Sequence, residues 1–159
     1  MAEYTLNVGD MAPDAALNLW PAAETTVAAY RGQWLIIYFY PKDNTSGCTT
    51  ESCEFRDMYA DFQELDAAIV GISRDSLKSH QNFSEKFAFP FALASDKDEV
   101  VCRAFDVMQV KKMYGKESVG VERSTFIINP EGVVVHAWRK VKVAGHVDEV
   151  CQVLRDLQA

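Results

Sequence analysis

No apolar run in this 159-residue chain approaches the ~20 residues that a helix needs to span a bilayer. The longest, Trp34-Leu35-Ile36-Ile37-Tyr38-Phe39-Tyr40, has the length of a strand. The start, Met1-Ala2-Glu3-Tyr4, lacks the basic segment followed by an apolar one that marks a secretory leader, and it lacks the Arg/Ser-rich character of a transit peptide. The cytoplasm is therefore the expected compartment, where lasting structural disulfides are rare. Basic residues are in the minority: 16 Lys and Arg stand against 23 Asp and Glu, a net charge of −7. That balance argues against a nucleic-acid-binding face, so neither nucleic acid nor membrane is an expected partner. Repeats, low-complexity tracts and linkers are missing too. The length fits one domain, residues 1–159, with room for a core. Apolar residues at 48% and charged residues at 25% are ordinary for a globular chain and exclude disorder beyond the ends.

What is present alternates between strand and helix patterns. Gly9-Asp10-Met11-Ala12-Pro13-Asp14 reads as an opening loop, and residues 15–19 and 25–27 as a short hairpin around Pro21. Residues 34–40 are apolar throughout, as in a strand buried on both faces, and Pro41, which has no N–H for a ladder, ends it. Phe55, Met58, Tyr59, Phe62 and Leu65 recur at helical spacing, which predicts one helix over 48–65. A strand over 67–72, a helix over 76–87, a strand over 91–94 and a helix over 97–105 follow. Residues 108–121 carry mixed signals and read as loops. Residues 125–128 and 133–138 flank Asn129-Pro130-Glu131-Gly132, a hairpin signature. A last helix over 147–157 carries Val147, Val150, Cys151 and Leu154 on one side. The βαβ order followed by ββα predicts a thioredoxin-like α/β fold: a central mixed sheet flanked by helices, with the N-terminal hairpin as an extension. Sites in such sheets lie beyond the carboxyl ends of strands, where Pro41 to Cys48 falls.

Cysteine is scarce, with four in the chain, and two of them mark that place. Cys48 stands at a helix start, where free N–H groups and the dipole favour a thiolate. A thiol of pKa ~8.5 is only about 3% ionised at pH 7, and one of pKa ~6 about 90%. The difference is about 3.4 kcal/mol, while a helix terminus usually supplies ~0.3–1 kcal/mol. A cation is therefore needed as well, and Lys42, Arg56 and Arg123 are the candidates. Cys53 follows five residues later. In an intact helix that spacing puts the two Cα atoms about 8.7 Å apart, beyond the roughly 4.4–6.8 Å of a disulfide. A bond between them requires the first turns to unwind. The alternative is that both are small buried hydrophobes.

Other cysteine chemistries do not fit the spacing. A thioredoxin-type reductase needs Cys-x-x-Cys, and a plant-type iron–sulfur site needs a third cysteine where Arg56 stands. A zinc site needs further paired ligands, and none is visible. No metal or cofactor is expected. Cys–His hydrolysis stays open in principle, although His80, His136 and His146 have no recognisable context and each reads as a solvated surface residue.

Pro41, Thr45 and Cys48 complete the pattern Pro-x-x-x-Thr/Ser-x-x-Cys and so resemble the peroxiredoxins. The four-residue gap to Cys53 resembles the subgroup called PrxQ or bacterioferritin comigratory protein. The likeness extends over nearly the whole chain. Gly9-Asp10-Met11-Ala12-Pro13-Asp14, Phe39-Tyr40-Pro41-Lys42, Gly71-Ile72-Ser73, Val107 and Arg123-Ser124-Thr125-Phe126-Ile127-Ile128 match in order and spacing. Ala15 departs from it, standing where an aromatic is usual.

The resemblance implies a thiol-dependent peroxidase acting on hydrogen peroxide and organic hydroperoxides. Cys48 is the implied peroxidatic cysteine, oxidised to a sulfenic acid. Thr45 hydrogen-bonds thiolate and peroxide, Arg123 supplies the cation, and Pro41 shields the sulfenic acid. Backbone N–H groups near Gly47 and Cys48 complete the oxygen pocket. Cys53 is the implied resolving cysteine, and thioredoxin or a similar dithiol protein the implied reductant. Glu51, one turn after Cys48, either orients the arginine or simply favours the helix dipole. Arg56 has a structural or orienting role, and Lys42 a solvated one. Some relatives resolve with a cysteine on the helix that carries Cys102. Cys151 falls on an apolar stripe and reads as buried and inert. With no C-terminal exchange arm visible, a monomer is expected. Two other readings remain: a peroxide-sensing switch or binding module without significant turnover, and a thiol–disulfide oxidoreductase without peroxide activity.

Overall fold

A strand with no polar face has to lie in the middle of a sheet, and the apolar run from Trp34 does so. The computed structural model describes residues 4–159; the expected absence of a leader rests partly on residues 1–3 and lies outside the described residues. In chain order the elements are β1 (Ala16–Leu17), β2 (Leu19–Trp20), β3 (Thr25–Thr26), a 3-10 turn (Val27–Tyr30), β4 (Trp34–Phe39), α1 (Ser46–Asp57), α2 (Tyr59–Glu64), β5 (Ala67–Ser73), α3 (Leu77–Phe87), β6 (Ala92–Ser95), α4 (Val100–Ala104), β7 (Met108–Met113), β8 (Lys116–Val121), β9 (Ser124–Ile128), β10 (Val134–Trp138) and α5 (His146–Gln158). The main sheet has six strands in the order β10-β9-β4-β5-β6-β2. β4, β5 and β6 run parallel, and β9, β10 and β2 pair antiparallel. This is the thioredoxin-like α/β arrangement that the sequence predicts.

The side-chain period of two divides β4 between two cores. Leu35, Ile37 and Phe39 enter one with Val101, Cys102, Phe105 and Phe126. Ile36, Tyr38 and Tyr40 enter the other with Cys48, Phe55, Phe62, Phe83, Val150 and Cys151. α1, α2, α3 and α5 therefore cover the face that carries Cys48, while α4 and the N-terminal segment cover the opposite one.

Four boundaries differ from the sequence reading. The expected single helix over 48–65 is two, broken at Met58, whose φ and ψ are −98° and 9°. The apolar stripe runs through the break because Phe55 and Phe62 stay in ring contact, with centroids 5.7 Å apart. The helix expected over 97–105 begins only at Val100. Asp96 takes the amides of Val101 and Cys102, and Glu99 is left-handed at φ 63°, so residues 97–99 turn first. Residues 108–121, read as loops, form the β7–β8 hairpin. Its turn at Tyr114 and Gly115 has positive φ at both positions, as a tight two-residue hairpin turn demands. Residues 116–119 are exposed and only Gly120 and Val121 of β8 are buried, while in β7 the apolar Val110 is exposed, so the hairpin lacks the apolar alternation of a half-buried strand. The N-terminal hairpin is also split: β1 pairs β3, but Leu19 and Trp20 leave it to pair with Ala94 and Leu93 of β6.

Gly71 of β5 lies opposite Tyr38 of β4. A Cβ there would fall 2.6 Å from Tyr38 Cζ and 2.9 Å from Leu93 Cδ2, so only glycine lets the tyrosine ring cross the neighbouring strand. Gly71→Ala is expected to destabilise the fold by about 1–3 kcal/mol through overpacking, read as a lower urea midpoint. An unchanged midpoint would show that the ring can move aside.

Candidate active site

β4 continues one residue past its assigned end, since the Tyr40 N–H donates to Ile72 O at 3.0 Å. Half-buried Pro41 then breaks the ladder, and the chain turns into α1. Thr45 is the N-cap, and the first helical bond runs from Thr49 N to Thr45 O at 2.8 Å. Cys48 is thus the third helical residue, among the N–H groups that the helix itself leaves free. It is 1% exposed.

Of the three candidate cations, Arg123 is the one at the sulfur. It lies between β8 and β9, 75 positions along the chain, and its Nη2 donates to Cys48 Sγ at 3.2 Å. Its Nη1 donates to Glu51 Oε1 at 2.7 Å. A Cβ on Gly47 would touch Nη2 at 3.4 Å, so the glycine leaves the guanidinium its path to the thiol. Lys42 is exposed. Arg56 instead donates to Phe87 O at 2.9 Å and pairs with Asp57, a structural contact between α1 and the end of α3.

Glu51 is fully buried and accepts from Arg123, so it is not a solvated first-turn acid. Burial pushes its carboxyl up to about 7 even though Arg123 pulls the other way. Among the described residues its second oxygen, Oε2, has no hydrogen-bond partner; His146 Nε2 lies 3.9 Å from it. That imidazole is driven down to about 4, chiefly by burial, so at neutral pH the contact is no ion pair. His146 Nε2 bonds Thr125 Oγ1 at 2.8 Å.

Thr45 differs from expectation. Its side chain is exposed and its hydroxyl donates to Lys42 O at 2.8 Å, which closes the turn and leaves no bond from Thr45 to the sulfur. Cys53 lies half-buried in the same helix as Cys48, and burial raises its thiol. Cys102 belongs to the core on the other face of the sheet, and burial together with Asp96 drives its thiol well above the ordinary range. Cys151 is buried as expected.

The reading of all three histidines as solvated is wrong. His80 is 0% and His146 4% exposed, and His136 is half-buried against Trp138 at 4.2 Å between ring centroids. A signal was available for two of them. His80 falls in step with Phe83 and Phe87 on α3, and His146 begins the stripe of Val147, Val150 and Cys151. Among the described residues no three His, Cys, Asp or Glu side chains gather as a metal site.

Comparison with known proteins identifies the family. The AhpC/TSA family matches residues 8–137. The chain is 52% identical over 155 residues to the Peroxiredoxin Bcp of Xanthomonas campestris pv. campestris, covering 98% of this chain and 97% of that one. It is 47% identical over 153 residues to the Peroxiredoxin Bcp of Bacillus subtilis, covering 96% and 98%. A solved structure of Xanthomonas campestris Peroxiredoxin Q superposes with a TM-score of 0.89 at 52% identity, over 96% of this chain and 97% of that one. A structure of the bacterioferritin comigratory protein of the same organism, described as bearing on its alkyl peroxide reduction activity, gives 0.90 at 51%, over 99% and 100%. With a buried cysteine at a helix start, an arginine on its sulfur and these relatives along nearly its whole length, the chain belongs to the AhpC/TSA family, among the peroxiredoxins.

Proposed function

We propose that this chain is a thiol-dependent peroxidase that reduces hydrogen peroxide and organic hydroperoxides through Cys48. The observation that carries the reading is the Arg123 guanidinium, 3.2 Å from Cys48 Sγ and 2.7 Å from Glu51. The Cys48 thiolate attacks one peroxide oxygen. The S–O bond forms as the O–O bond breaks, and the departing oxygen takes a proton to leave as water or an alcohol. Arg123 and the free N–H groups of the first turn stabilise negative charge on the oxygens. Thr45 Oγ1, already donating to Lys42 O, keeps its lone pairs for the O–H of the peroxide. Pro41 closes the turn over the sulfur, and Glu51 holds the arginine in line.

In the second step the Cys53 sulfur attacks the Cys48 sulfenic acid and water leaves, giving a disulfide. Both residues stand in one helix, so α1 opens at its start for the bond to form. A dithiol protein such as thioredoxin then reduces the bond by exchange. Cys102 is not assigned to this cycle, because the sheet separates it from Cys48. Residues 1–159 act as one catalytic domain, proposed as a monomer in the cytoplasm. Among the described residues no helix is long and apolar enough to cross a membrane.

One equivalent of peroxide added to reduced protein is expected to give the Cys48–Cys53 disulfide by mass mapping. Thioredoxin, its reductase and NADPH should then sustain turnover. Stoichiometric oxidation without turnover would favour a sensing switch. Absence of any reaction would leave only a thiol–disulfide exchanger. Cys48→Ser abolishes peroxide consumption, whereas Cys53→Ser keeps the first oxidation and loses recycling by thioredoxin. Arg123→Ala slows the first step by about 100-fold, the scale of losing one preorganised donor, measured by stopped flow.

Glu51 lies between the two cysteines and reaches water when α1 opens. Its carboxyl is at about 7 in the folded helix and near ~4.3 when solvated. A raised acid stabilises the folded form fully below the solvated value, and that stabilisation is lost as pH rises through about 7. Amide protection over residues 46–52 of the reduced protein, corrected for intrinsic exchange, should therefore fall between pH 5 and pH 8. In Glu51→Gln it should stay flat. A wild-type profile as flat as that of the variant would contradict the coupling.

A further inference from the structure

A buried polar cluster under the Pro41–Cys48 turn takes no part in the chemistry above. Asp43 is 6% exposed, although Lys42 and Asn44 on either side are exposed. Its Oδ1 accepts from the Tyr40 hydroxyl at 2.5 Å. Its Oδ2 accepts from Ser79 Oγ at 2.8 Å and lies 2.7 Å from His80 Nδ1. Its backbone N–H donates to Asp75 Oδ2 at 2.8 Å, and Ser73 Oγ donates to the same oxygen at 2.6 Å. His80, wholly buried on α3, has its other nitrogen 2.8 Å from Ala94 O. A carbonyl can only accept and a carboxylate only accepts, so His80 donates from both ring nitrogens and stands as the counter-ion of Asp43. A buried ion pair is weak evidence for stability, and its best-attested use is to select one arrangement of the chain.

The contacts thin out just beyond this cluster. Asn44 is left-handed at φ 60°, a conformation that asparagine tolerates better than most residues. Its side chain meets only the exposed Lys86, at 3.3 Å, and Thr45 bonds back to Lys42. Asp43 is therefore the last residue before Cys48 whose side chain bonds firmly to the buried part of the fold.

We propose that Asp43 and His80 are the fixed anchor of the peroxide-reducing turn, and that Asn44 is the hinge about which Cys48 swings toward Cys53. His80 is a positioning residue: through Asp43 it sets the start of α1, and hence the place of the thiol beside Arg123. The hinge half of this proposal rests on the disulfide cycle given above.

Hydrogen exchange on the wild-type protein tests the hinge. On oxidation the Asp43 amide keeps its protection while the amides of residues 46–52 lose theirs. Loss of protection at Asp43 together with them would overturn the proposal. Mass mapping of the same oxidised sample separates the two ideas. If no Cys48–Cys53 bond is found, the cycle is at fault, and the anchor is judged on the first step alone. That step is followed in a Cys53→Ser background by trapping the sulfenic acid with a 1,3-dione. His80→Asn leaves the carboxylate without its counter-ion and should slow trapping by roughly 10- to 100-fold, the scale of a misplaced reacting group. Adding Asp43→Asn removes the lone charge, and should bring the rate back to within about threefold of the parent through coupling of the pair. A cooperatively folded His80→Asn protein with the parent rate would refute the positioning role. Should that variant fail to fold, the exchange pattern of the wild-type protein decides.

Discussion

One guanidinium joins the two halves of the site. Arg123 enters from the junction of β8 and β9, and Cys48 and Glu51 come from the first turns of α1. The pairing of β9 with β4 brings them together, because β4 delivers the chain to α1. The sheet register therefore decides whether the sulfur has a cation beside it. The helix start alone supplies a fraction of the stabilisation that a thiolate needs at neutral pH.

Glu51 is the cost of that arrangement. Its carboxyl is wholly buried, bonded through one oxygen and unpaired at the other. A half-satisfied buried carboxyl penalises the folded helix start, and a helix end carrying such a penalty opens at less cost than a fully satisfied one. The segment proposed to rearrange thus holds a residue that would make rearrangement easier. The turn before it, by contrast, is fastened through a fully bonded Asp43. The fastened Asp43 stands three residues before the start of α1 at Ser46.

The sequence carried the chemistry further than the architecture around it. The resemblance named Pro41, Thr45, Cys48, Cys53 and Arg123 from their order and spacing, and the structure brings Arg123 to within 3.2 Å of the Cys48 sulfur. Arg123 in particular met a need that the thiolate arithmetic had already set. Residues 108–121 were not legible as strands, since an exposed hairpin buries too little to impose an apolar alternation. The break at Met58 was invisible for the opposite reason: the apolar stripe continues across it. Asp43, His80 and His146 were missed because their partners are distant in sequence. Asp43 and His80 are 37 positions apart, and only the packing of α3 against the turn gives either residue a meaning. Thr45 shows the limit of motif reading, for its place was right while its hydroxyl proved to bond to the backbone of its own turn.

The division of β4 between two cores has a chemical consequence for the sulfur atoms that lie on each side of the sheet. Cys48 and Cys102 are held on opposite faces of the same sheet. To cross-link wrongly, they would have to part strands, and disrupting the sheet demands a large share of the ~5–15 kcal/mol that holds a domain together. The sheet therefore stands as a partition between the sulfurs of Cys48 and Cys102, whereas Cys151 shares the face of Cys48.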